Sequence, residues 1–151
     1  MRIELFKLDL GNLVEFNVTG SDENYRVCSS DSWFLDEQLF YLFQPSFERS
    51  SKLFDYYEPT RYDVRTIVPL LNELKTFSKE LEAIQTMEAL DTFIHNQYMG
   101  VQFLDLLEKE DPRWREQWKT VLNQLLEVCK KLVALADQCF NEDKVLWVKG
   151  Y

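Results

Sequence analysis

Residues 111–148 read DPRWREQWKTVLNQLLEVCKKLVALADQCFNEDKVLWV, and this stretch decides the fold. Trp114, Trp118, Val121, Leu125, Val128, Leu132, Leu135 and Cys139 recur at alternating spacings of four and three, which places all of them on one face of a helix. A second stripe, Leu122, Leu126, Cys129, Val133, Ala136 and Phe140, runs beside the first. An apolar face this wide needs covering on more than one side, so the helix is expected at the centre of the molecule. Asp111-Pro112 supplies its start, with an acid at the cap and proline at the first helical position, where no N–H is needed. After the turn Asn141-Glu142-Asp143, Val145-Leu146-Trp147-Val148 predicts a strand that returns to an N-terminal sheet.

Upstream of this helix the same periodicity repeats. Ile67, Leu70, Leu74, Phe77, Leu81 and Ile84 share one helical face, with Thr66 as N-cap and Pro69 tolerated in the first turn. A second helix is predicted from Thr86 to about Lys109, burying Met87, Leu90, Ile94, Val101, Leu104 and Leu107. Gly100 lies inside that pattern and costs about 1 kcal/mol relative to alanine, so it marks a kink or a close helix crossing.

The first third has a different period. Ile3, Leu5, Val14, Phe16 and Val18 alternate with polar neighbours, as in half-buried strands, with Gly11-Asn12 as a turn between two of them. Gly20 to Asn24 makes a further turn, and Tyr25 to Cys28 reads as a short third strand. Asp31 or Ser32 is placed to cap a helix from Trp33 to about Gln44, with Asp36 and Glu37 near its positive end. The run Leu39-Phe40-Tyr41-Leu42-Phe43 fits a buried strand as well, and Pro45 is expected to end the element either way. Leu53 to Asp63 reads as extended, and Tyr62, Val64 and Thr66 as an edge strand. The expected fold is therefore α+β: a small antiparallel sheet, from N-terminal strands plus a C-terminal strand, packed on a three-helix bundle with one additional short helix.

Composition bounds the function. A chain of 151 residues is expected to form one domain, and with 46% apolar residues and 15% aromatics it can build a core without staples. A net charge of −9 repels nucleic acid phosphates and anionic lipid heads, and attracts a basic protein. The three scattered cysteines, Cys28, Cys129 and Cys139, suit a reducing compartment better than a disulfide framework. Without a signal-peptide pattern or a long apolar run, the expected location is cytoplasmic, with no membrane partner.

Reactive chemistry is sparse. The one histidine, His95, has no nominated partner that would make it a general base. One histidine and three dispersed cysteines are a poor zinc set, and the acids Asp105, Glu108, Glu110 and Asp111 lack the spacing of a calcium loop. No glycine-rich phosphate loop and no nucleophile elbow is present. No metal, no cofactor and no catalytic residue is expected.

The segment Phe54-Asp55-Tyr56-Tyr57-Glu58-Pro59-Thr60-Arg61-Tyr62 stands out instead. Tyrosine and arginine are enriched where interfaces bind most strongly, because they bury apolar area and keep a polar handle. Asp55, Tyr56, Tyr57, Glu58, Arg61 and Tyr62, with the acids Asp36 and Glu37, are the candidate binding residues. The stretch from Phe54 to Arg61 before a long helix, together with the ending Leu146-Trp147-Val148-Lys149-Gly150-Tyr151 after the last helix, resembles small cytosolic immunity proteins of bacterial toxin systems. The resemblance lies in general layout, size and acidity, with no aligned motif, so it carries over no inhibitory residue. It implies a domain that binds a cognate toxin and blocks its active site or assembly. Two other classes stay open: a structural or chaperone-like subunit dimerising through the last helix, and an enzyme using His95 as base.

Overall fold

A computed structural model describes residues 1–7 and 11–151. Strand β1 (Leu13–Gly20) leads into a long connection, followed by β2 (Trp33–Asp36) and α1 (Glu37–Ser50). A short β3 (Thr60–Tyr62) precedes α2 (Ile67–Glu82), α3 (Met87–His95), α4 (Gly100–Glu110) and α5 (Trp118–Glu142), and β4 (Lys144–Gly150) closes the chain. The sheet has the order β2-β1-β4-β3, and every pair is antiparallel. The molecule is α+β, as expected. The closing strand lies inside the sheet, between β1 and β3.

Register gives the sheet two unlike faces. Phe16 stands opposite Val148 and Val18 opposite Leu146; with Val14 and Tyr62 they face the helices. On the other face Glu15 stands opposite Lys149 and Asn17 opposite Trp147. α5 packs along α2 and touches β4; of its first stripe Val121, Leu125, Val128, Leu132 and Cys139 are buried and Leu135 is half-buried. Its second stripe is only partly covered: Leu126 and Val133 are half-buried and Phe140 is 54% exposed.

Several readings need correction. Trp33–Asp36 is a strand, because pairing with β1 and a bridge between Phe34 and Phe6 bury Phe34 and Leu35 on opposite faces. The helix therefore starts at Glu37, and its cap is Asp36, whose Oδ1 accepts the Gln38 N–H at 3.0 Å. Pro45 does not end it: α1 runs through to Ser50. An interior proline forgoes a backbone bond at a cost of about 3 kcal/mol, and the complete burial of Leu39, Phe40, Phe43 and Phe47 offsets that cost.

The helix expected over 86–109 is two helices. Met99 adopts a left-handed φ of +55°, and a Cβ on Gly100 would lie 1.8 Å from the Ile94 carbonyl oxygen. Glycine is thus required where α4 begins against the end of α3. At the other junction, Asp111 closes α4, and a tight 3₁₀ turn at Trp114–Gln117 separates Pro112 from α5. Neither Ile3–Leu5 nor Tyr25–Cys28 is a strand, and among the described residues ahead of β1 only Phe6 forms a bridge; the residues that lead into the turn expected at Gly11-Asn12 lie outside the described residues. The edge strand stops at Tyr62, leaving Val64 73% exposed. Thr66 occupies the cap position of α2, but its hydroxyl accepts from the Asp63 N–H at 3.0 Å. Among the described residues, no helix is long and apolar enough to cross a membrane.

Candidate binding surface

Glu37, the first residue of α1, organises an aromatic surface. Tyr41 lies one turn further on, so its hydroxyl meets the carboxylate and donates to Glu37 Oε1 at 2.7 Å. The Tyr56 hydroxyl donates to the same oxygen at 2.8 Å. Tyr56 is fixed from below by β4: the Gly150 N–H donates to its carbonyl at 2.7 Å, and a Cβ on Gly150 would press to 2.2 Å from its ring. The absence of a side chain at position 150 is therefore what admits this ring.

Ring contacts extend the cluster to both sides. Tyr57 meets Tyr56 edge-on at 5.0 Å, Tyr56 lies 6.0 Å from Tyr41, and Tyr41 meets Tyr98 edge-on at 5.9 Å. These are favourable aromatic separations and, in the edge-on pairs, favourable angles. The ladder Tyr57–Tyr56–Tyr41–Tyr98 joins the segment after α1, α1 itself and the α3–α4 connection. Its ends are open to solvent, Tyr57 at 75% and Tyr98 at 49% exposure. Beneath it, Phe54 stacks on Phe40 at 6.3 Å and anchors the segment to the core.

Burial and Glu37 favour the neutral form of the two inner phenols, Tyr41 and Tyr56. Burial first, then the hydrogen bond to Glu37, pushes the Tyr41 phenol up to about 12, and the same causes raise Tyr56. The rim is acidic. Asp55 and Glu58 are exposed in the same segment, and Asp55 Oδ1 shapes it by accepting the Tyr57 N–H at 2.9 Å.

The eight candidate residues thus divide. Glu37, Tyr56 and Tyr57 meet, and Asp55 and Glu58 flank them in one segment. Asp36 serves as the helix cap, and burial raises its pKa. Tyr62 is wholly buried, its hydroxyl donating to the Phe47 carbonyl at 2.7 Å, so it is a core residue. Arg61, next to it on β3, points to the other side of the sheet, where it lies 5.9 Å over Trp147 and donates to the Ser21 carbonyl at 3.0 Å. Tyr41 and Tyr98 were not among the candidates. The spacing of Glu37 and Tyr41 by four residues was a usable signal for the first; nothing local marks Tyr98.

A second carboxylate–tyrosine cluster lies on that other side. Glu15 is fully buried, and its carboxylate accepts from Ser32 at 2.5 Å, from Tyr151 at 2.7 Å and from Tyr25. Tyr25 and Tyr151 also hydrogen-bond each other, and Asn17 Nδ2 donates to Ser32 Oγ at 2.9 Å. Burial first, reinforced by hydrogen bonding, raises both phenols. His95 is exposed at the end of α3, and among the described residues no side-chain partner meets it. No group of three or more His, Cys, Asp or Glu among the described residues is arranged to hold a metal ion. No protein-family model, curated protein or solved structure matches this chain.

Proposed function

We propose that the chain is a non-catalytic protein-binding domain that holds a basic protein on its tyrosine ladder, in the manner of an immunity protein neutralising a cognate toxin. The observation that supports this reading is the continuous row of four tyrosines around Glu37, open at both ends and edged by Asp55 and Glu58. Ring faces attract cationic side chains, and the carboxylates favour the same partner. The overall charge of −9 speeds the encounter with it. The site of action is the cytoplasm, where exposed Cys28 stays a free thiol.

The test is affinity capture of the neighbouring gene's product, or of cell extract, on the full chain and on a Tyr57→Ala/Tyr98→Ala variant. The expected result is a basic protein retained by the parent and released by the variant. Capture of the same partner by both proteins would remove the ladder from the interface.

A further inference from the structure

A groove between α2 and α5 has the opposite polarity. Lys75 and Lys79 stand one turn apart on α2, and Lys130 faces them from α5. Ser78, Glu82 and Val133 complete the lining, and the groove holds about 250 Å³.

Most basic side chains of the described residues are matched. Arg49, Arg113, Arg115 and Lys144 meet carboxylates, and Lys7 and Lys131 lie over the Trp33 ring. Among the described residues, Lys75 and Lys79 meet neither a carboxylate nor a ring. Lys130 reaches Glu127 at 3.4 Å, but both are about two-thirds exposed, and such pairs contribute little. Glu82 accepts a long bond from Ser78 at 3.4 Å, and among the described residues it forms no ion pair with the lysines. The groove also has an apolar component. Val133 lines it, and Phe140, two turns further along α5 on the same side, is 54% exposed.

We infer that this groove docks an acidic amphipathic segment of a protein partner. The carboxylates of the segment pair with Lys75, Lys79 and Lys130, and its apolar side chains lie on Val133 and the lysine stems. Charge complementarity selects the occupant: three lysines of an otherwise acidic molecule converge on this groove against one lining carboxylate, Glu82. The volume suits one or two side chains and falls below that of typical small-molecule pockets. Nucleic acid is disfavoured by the charge of the whole chain.

The experiment is fluorescence anisotropy with a labelled short peptide carrying glutamates and leucines at helical spacing. The expected result is salt-sensitive binding, absent for the same peptide with glutamine in place of glutamate, and weakened roughly tenfold by Lys75→Gln/Lys79→Gln. Lys130→Gln, a single exposed change, should weaken it by a smaller factor, and thermal unfolding checks that both variants fold. Equal binding of the glutamine peptide, or binding untouched by either lysine variant, would overturn the proposal. Full displacement by inorganic phosphate at the peptide's own concentration would also overturn it, by showing a simple anion site.

Discussion

Two carboxylates in this molecule each accept hydrogen bonds from two tyrosines, and they differ in what surrounds them. Glu15 is fully buried beneath the connection between β1 and β2 together with Ser32, while its donor Tyr25 is half-buried and its donor Tyr151 is 40% exposed. Glu37 sits at the start of α1 under rings that open to solvent at Tyr57 and Tyr98. The same chemistry therefore serves two ends. Where water is excluded, each donor must find its acceptor inside the protein, and the cluster ties the sheet to its cover. Where water is near, the rings keep their contacts and still present area to another molecule.

The contrast is broken most forcefully at Glu15. Glu15→Ala leaves three hydroxyls without their acceptor, and the unfolding free energy should fall by about 3 kcal/mol in urea denaturation. Glu37→Ala should cost about 1 kcal/mol or less, because Tyr41 and Tyr56 can turn their hydroxyls to water. Equal losses would show that the two clusters do not differ in kind.

Alkali comes next in size. Tyr41 has its folded pKa pushed up to about 12, above the unfolded value of about 10. Its neutral form is thus favoured in the folded state, and the resulting stability is complete below pH ~10 and disappears as the pH climbs towards 12. Unfolding midpoints measured across that window should decline, and Tyr41→Phe should flatten part of the decline. The smallest effect belongs to the cover of the Glu15 cluster. Cys28, exposed there, should react with an uncharged thiol reagent at a stability change within about 0.5 kcal/mol. Cys129 and Cys139, buried and pushed up to about 11 mainly by that burial, should react only after denaturation.

How much of this was legible depends on where the signal resides. α2 and α5 are long and amphipathic, and β1 alternates strictly, so each follows from its own residues. Trp33–Asp36 does not, because Trp33, Phe34 and Leu35 are consecutive and acquire strand character from β1 and Phe6. The break at 96–99 is invisible locally, since only the approach of Ile94 to Gly100 reveals why glycine is needed. Pro45 misleads because the burial that holds α1 together comes from other elements. In the binding surface, Tyr56 and Tyr57 stand out from their own segment, whereas Tyr98 joins them only through the fold. Arg61 and Tyr62 are separable from the sequence: neighbours on a strand point to opposite faces, and β3 sends one outward and the other into the core.

The most direct measurement is the affinity of the captured basic partner for the parent chain and for Tyr57→Ala/Tyr98→Ala, with the urea midpoint of each recorded alongside. Two exposed anchors of this type are expected to account for a loss of affinity of roughly a hundredfold or more, with the midpoint nearly unchanged. An affinity that survives the double substitution would contradict the assignment of the tyrosine ladder as the binding surface.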